Sequence, residues 1–226
     1  MRIWLATVGE PLPLDGPNER YLRTGILAYE LVRRGHEVTW WTSAFDHIRK
    51  RFRSDASQIV EIEPGLRIGL LKGCGYQRNV SLARWRDHRQ VAEEFARLAG
   101  AEPRPEVLQA SVPTIELALA TVRYGQEHSV PVSLDCRDMW PDVLEDAIPV
   151  LGPVVFRRMR REAGLALGGA TGITGHTQEF RDWGLGYAGR LAGQWDRDFP
   201  FGYRSAAPPA DALIEAESKW DALGTE

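Results

Sequence analysis

Cysteine is scarce: only Cys74 and Cys136 occur in 226 residues, far apart and in different contexts. That excludes a disulfide framework and reads as reduced thiols of a cytoplasmic protein, with Cys136 a small core residue. The fingerprints of the common α/β chemistries are missing too. The first β-loop-α-β unit holds Gly9 and Gly16 but no G-x-G-x-x-G, so the close backbone approach to a pyrophosphate that a dinucleotide site needs is absent and a Rossmann oxidoreductase is disfavoured. There is no Walker-type Gly-Lys-Ser, no G-x-S-x-G elbow and no H-E-x-x-H, and the five histidines are scattered without ligand spacing; no metal is expected. Basic and acidic residues, 28 and 31, nearly cancel to a formal charge of -3, so nothing global points to nucleic acid. No run is apolar enough to span a bilayer, and the first apolar stretch, 2–8, is broken at Gly9 before it can serve as a signal peptide.

What is present is alternation. A hydrophobic share of 43% is ample for a core, and it is distributed as short β-branched or aromatic runs between amphipathic stretches. Strands are predicted over 2–8, 36–42, 59–62, 66–71, 107–110, 132–136 and 172–174, and helices over 19–34, 79–99, 115–127, 142–167 (broken at 149–153), 176–183 and 211–223. Leu22, Ile26, Tyr29 and Val32 form the stripe of the first helix, which Gly35 stops; Leu82, Trp85, Ala92, Phe95 and Leu98 form that of the second. Strand-helix alternation requires cover on both sheet faces, so the fold class is α/β: a Rossmann-like, three-layer, doubly wound, mostly parallel sheet with at least five parallel strands.

Three stretches hold candidate chemistry. Residues 132–142, Val-Ser-Leu-Asp-Cys-Arg-Asp-Met-Trp-Pro-Asp, start as a buried strand and release Asp135, Arg137, Asp138 and Trp140 where it must end. Ligands of open α/β sheets bind outside such carboxyl ends, although an Arg-Asp pair there also serves as a structural ion pair. Ser111 and Thr114 precede a helix and read either as caps or as an anion site. The basic run 45–53 places Phe45, Ile48 and Phe52 at helical spacing, a solvated loop-helix or a patch for anionic lipid or phosphate. Arg157, Arg158, Arg160 and Arg161 read as a solvated helix face.

The run Leu31-Val32-Arg33-Arg34-Gly35-His36-Glu37-Val38-Thr39, the Pro-rich loop before it and Asp135-Cys136-Arg137-Asp138-Met139-Trp140-Pro141 together resemble the N-terminal domain of GT-B glycosyltransferases of family 4, over residues 1–203. The resemblance implies two Rossmann-like domains facing across a cleft, of which the first receives the acceptor and the second binds a nucleotide-sugar as co-substrate, with retention of configuration and no metal or cofactor. It implies a sugar transferred to a glycan or polyprenyl-diphosphate-linked acceptor in surface polysaccharide synthesis, in the cytoplasm or peripherally at the inner membrane face. Residues 1–205 would be the acceptor-binding domain, and 206–226 a linker and helix leading to a donor domain, in cis or in trans, that the chain is expected to lack and without which it is expected to be inactive. Asp138 and Arg137 are the implied catalytic pair, at a position that many members fill with His-Asp. A guanidinium is no base at neutral pH but can hold phosphate. Gly16, Asn18, Arg20, Arg23, Ser111, Thr114 and Trp140 are the implied acceptor contacts. The first loop reads Asp15-Gly16-Pro17-Asn18 where the family often has a Gly-Gly pair. The alternative is a non-catalytic Rossmann-like binding or scaffold module.

Overall fold

The computed structural model describes residues 1–17, 19–146, 152–200 and 202. The chain runs β1 (Arg2–Ala6), α1 (Arg23–Arg33), β2 (Glu37–Ser43), β3 (Phe45–Asp46), β4 (Arg51–Phe52), β5 (Gln58–Glu63), β6 (Leu66–Leu71), α2 (Leu82–Ala99), β7 (Val107–Val112) and α3 (Ile115–His128). It continues through β8 (Val132–Cys136), α4 (Asp142–Asp146), α5 (Gly152–Val155), α6 (Arg157–Gly169), β9 (Gly172–Gly175), α7 (Gln178–Ala188) and β10 (Arg197–Asp198). One eight-stranded sheet has the order β10-β9-β8-β7-β1-β2-β6-β5. Every pairing in it is parallel except β5 with β6, which form an antiparallel hairpin. The chain builds outward from β1 through β2 to β6, returns along α2 and continues from β7 on the other side of β1, so the winding reverses between β1 and β7. A reversal of this kind leaves a crevice at the carboxyl ends of the two strands.

The period of two along each strand sorts the core into two layers. Ile3 and Leu5 of β1, Val38 and Trp40 of β2 and Leu66 and Ile68 of β6 face α1, which seats Ala28 on them. Trp4 and Trp41 turn the other way, toward Phe95 of α2 and Tyr124 of α3. The four rings interlock, with Trp4 5.1 Å from Trp41 and 5.0 Å from Tyr124, and Trp41 5.4 Å from Phe95, centroid to centroid. Trp41 lies flat on Gly69 of β6, where a Cβ would come within 2.3 Å of the indole; any side chain there would push the ring out of the core. The Cys136 thiol is fully buried and its pKa is pushed up to about 12 by that burial, as a core residue's should be.

Two local expectations change. The run 45–53 is not a helix but an antiparallel ribbon, β3 against β4, with Phe45 opposite Phe52 and their rings 5.1 Å apart. Helical spacing misled because Ile48 is 64% exposed and belongs to the ribbon's turn, where Lys50 takes a positive φ of 53°. Beyond α7 the chain adds an unforeseen edge strand, β10, parallel to β9. The linker expected at 206–210 and the helix at 211–223 lie outside the described residues.

Candidate functional site

At the switch point the strands end in polar side chains. Thr7, just past β1, and Ser111 of β7 share a hydrogen bond of 2.8 Å between their hydroxyls. Asp135 of β8 is fully buried: its Oδ2 accepts from Arg137 Nε at 2.8 Å and its Oδ1 from Thr174 Oγ1 at 3.0 Å, and Arg23 Nη2 forms an ion pair with Oδ1 at 3.1 Å. Helix α1 opens without a side-chain cap of its own at Leu22. The carboxylate of Glu10, carried in by the first loop, serves instead. It accepts from the Thr24 amide at 3.0 Å, lies 2.7 Å from Thr24 Oγ1 and is met by Arg137 Nη1. Arg137 Nη2 donates to Thr24 Oγ1 at 2.9 Å. A helix N-terminus is a ready seat for an anion, and here the protein's own carboxylate fills it. Nothing in the sequence marked Glu10; the only hint is the lack of a capping residue ahead of Arg23.

The residues named from the sequence therefore separate. Arg137 and Arg23 join one interlocked, largely buried network, and burial lowers the Arg23 pKa while Asp135 opposes the shift. Ser111 is committed to Thr7. Asp138, the next residue along from Arg137, is half-buried; its Oδ1 accepts from the Met139 amide at 2.9 Å and it has no ion pair among the described residues. The first loop is clamped from the ribbon. Arg53 grips Asp15 through Nε at 2.6 Å and Nη2 at 2.7 Å, and Arg49 reaches Glu19 and Asp46. Burial pushes the Asp15 carboxyl up, but Arg53 and the Leu12 amide outweigh it and hold the carboxyl below its usual range. Gly16 is half-buried in that loop, Arg20 is exposed, and Asn18 lies outside the described residues.

On the opposite face of the sheet, at the same carboxyl edge, Trp140 is 9% exposed and packs rather than projects. The Arg84 guanidinium lies 4.8 Å from its ring and the imidazole of His88 stacks 6.4 Å away. Arg84 Nε donates to His88 Nε2 at 3.3 Å, and His88 Nδ1 stands 3.7 Å from Glu116 Oε2 in the first turn of α3. Burial, with Arg84 and His47 nearby, lowers the His88 pKa to about 3, and burial raises that of Glu116 to about 7. Thr114, at the N-cap of α3, has a buried hydroxyl that makes no cap bond and has no hydrogen-bond partner among the described residues. Sequence reasoning passed over Arg84, His88 and Glu116. His88 does fall on the inward stripe of α2 with Val91 and Phe95, which was the available signal. Among the described residues no group of three His, Cys, Asp or Glu side chains is placed to hold a metal.

No protein-family model and no curated protein matches the chain. Solved structures do. Sucrose-phosphate synthase from Thermosynechococcus elongatus superposes with a TM-score of 0.61 at 15% identity, over 96% of this chain and 52% of its own. The catalytic domain of starch synthase IV from Arabidopsis thaliana, bound to ADP and acarbose, gives 0.55 at 11%, over 88% and 51%. UGT89C1 of Arabidopsis thaliana, complexed with UDP, gives 0.51 at 10%, over 96% and 57%. The chain thus spans about half the length of each of them. At these identities the likeness is one of fold, and the fold is the Rossmann-like architecture of the GT-B glycosyltransferases.

Proposed function

We propose that this chain is the acceptor-side domain of a retaining glycosyltransferase of family 4, moving a sugar from a nucleotide-sugar to a glycan or polyprenyl-diphosphate-linked acceptor. The observation that carries the reading is Asp138. It is a half-buried carboxylate at the carboxyl end of β8, in the next strand but one from β1, and no cation neutralises it among the described residues. Such a group can take the hydrogen bond of an acceptor hydroxyl and orient it toward an anomeric carbon. The charge that develops on a departing nucleoside diphosphate needs donors, and those are assigned here to a second domain, fused or in trans, because the N-terminus of α1 is already filled by Glu10. The solved neighbours bound to ADP and to UDP are consistent with such a donor.

A lipid-linked acceptor is favoured by the rim of the same edge. Ile48, Val80 and Leu82 are 64%, 84% and 79% exposed, and Lys50 Nζ bonds Asn79 Oδ1 at 2.6 Å, which ties the ribbon to the approach of α2. Apolar tips beside cations suit an anionic membrane surface. No helix among the described residues is long and apolar enough to cross a membrane. The rival reading, a non-catalytic binding or scaffold module, is favoured by the engagement of Arg137 in Glu10 and Asp135.

The test is transfer of labelled sugar from a set of UDP- and ADP-sugars to a polyprenyl-diphosphate-linked saccharide. The chain alone should bind the acceptor weakly and transfer nothing; with a donor domain added it should turn over, and Asp138→Asn should lower turnover more than acceptor affinity. Turnover by the chain alone that Asp138→Asn abolishes would overturn the division of labour. Full turnover by Asp138→Asn would overturn the role of Asp138.

A further inference from the structure

The cluster on the α2–α3 side holds two buried polar atoms, His88 Nδ1 and Thr114 Oγ1, without hydrogen-bond partners among the described residues, and their chemistry is restrictive. Arg84 keeps its protons in any protein environment, so the bond from Arg84 Nε obliges His88 Nε2 to present its lone pair. A neutral His88 must then carry its proton on Nδ1, a donor that is buried, has no hydrogen-bond partner among the described residues and stands 3.7 Å from Glu116 Oε2. That gap is beyond a hydrogen bond, but one oxygen seated to the side can lie about 2.8 Å from both atoms. With Glu116 ionised, the oxygen must accept from His88 and donate to Glu116; with Glu116 protonated, it can accept from both. A hydroxyl does both. A phosphate or carboxylate brings negative charge against Glu116, and a cation would face the Nδ1 proton and Arg84. The hydroxyl of Thr114, 6% exposed and without a hydrogen-bond partner among the described residues, stands at the N-cap of the same helix, two positions before Glu116. It lies two residues past Val112, whose carbonyl receives the Asp138 amide at 3.3 Å. The Glu116 side chain is 13% exposed, so the cluster reaches the surface.

We infer that Thr114, Glu116 and His88 form a subsite for the hydroxyls of a neutral saccharide, on the helix-covered side of the edge that carries Asp138. The inference rests on the acceptor-side reading above and names the part of the acceptor that this side would hold. The near-neutral Glu116 carboxyl suits the role, since either of its forms can pair with a hydroxyl.

The experiment titrates the full chain, with its histidine rings nitrogen-labelled, with sucrose, maltose and cellobiose, following the His88 Nδ1 resonance and the binding isotherm. A saccharide should move that resonance, and Thr114→Val and Glu116→Gln should each weaken binding at least tenfold. Thr114→Val should leave the melting temperature unchanged or raised, since the hydroxyl it removes has no hydrogen-bond partner among the described residues; a loss of binding in that variant is then not a loss of structure. Binding of equal strength in both variants, or a His88 resonance that never moves, overturns the subsite, shows that a bound water only is held there, and leaves the acceptor-side reading standing. Failure of the unaltered chain to bind any saccharide overturns the subsite and the acceptor-side reading together.

Discussion

The two sides of one sheet edge treat their polar residues in opposite ways. On the α1 side each carboxylate has its donors: Glu10 has Thr24 and Arg137, and Asp135 has Arg23, Arg137 and Thr174. On the α2–α3 side His88 and Thr114 are buried, with Arg84 and Glu116 beside them half-buried, but Nδ1 and Oγ1 have no hydrogen-bond partner among the described residues. A network whose carboxylates are met internally holds the strand ends in place, and one with buried polar atoms left over is shaped for something else.

The largest effect should come from breaking the closed side. Asp135→Ala leaves Arg23 and Arg137 facing each other without the carboxylate between them, and a broken buried pair costs about 3–5 kcal/mol. Urea unfolding measures it, and a loss below about 1 kcal/mol would mean that the network is no scaffold. Asp138→Asn, one side chain beyond the network, should shift stability by no more than about 0.5 kcal/mol yet slow transfer in the two-domain reaction by about 100-fold or more. If the order of those two variants is reversed, the division between scaffold and site fails.

Acid and base titration sharpen the contrast, because a closed carboxyl and an open one carry opposite signs. Asp196 accepts from Arg190 at 2.5 and 2.8 Å, from the Ile173 amide at 2.7 Å and from the Gly193 amide at 2.6 Å, and the Arg190 guanidinium, more than the amides, holds its carboxyl at about 2, below the ordinary 3.8. Its folded pKa is depressed, so its contribution is complete above 3.8 and is lost as pH falls through about 2. Asp196→Asn should flatten the acid arm of the stability curve. Glu116 is raised from 4.5 to about 7 by burial, so its contribution is complete below 4.5 and is lost as pH rises through about 7. Glu116→Gln should gain on the parent chain on the alkaline side. Melting curves against pH check both, and the same slope in the two variants would remove the distinction. The smallest effect belongs to the rim: Lys50→Ala should weaken binding to anionic vesicles by about 1 kcal/mol, read by sedimentation against neutral vesicles.

The sheet was largely legible, since periodicity reports which residues must be buried. Helix α2 (Leu82–Ala99) and strand β8 (Val132–Cys136) fall inside the stretches read from the sequence. The ribbon at 45–53 was not, because two-residue strands have no period to read and Phe45 meets Phe52 through a turn that Lys50 makes. At the site, 132–142 announced itself through charges at a strand end, but the fates of neighbours Arg137 and Asp138 were hidden. The partner of Arg137 is Glu10, 127 positions earlier, and only the closing of β1 onto β7 brings them together. His88 and Glu116 escaped for the same reason, one on each of two helices that meet across the sheet's far face.

The strand order has one more consequence, for how this molecule can grow. At one end of the sheet β5 exposes Gln58, Glu61 and Glu63, and at the other β10 is two residues long. Unpaired edges recruit strands from other chains unless charge or brevity blunts them, and here each end uses one of those two means. Association by β-augmentation is thereby discouraged at both ends of the sheet formed by the described residues.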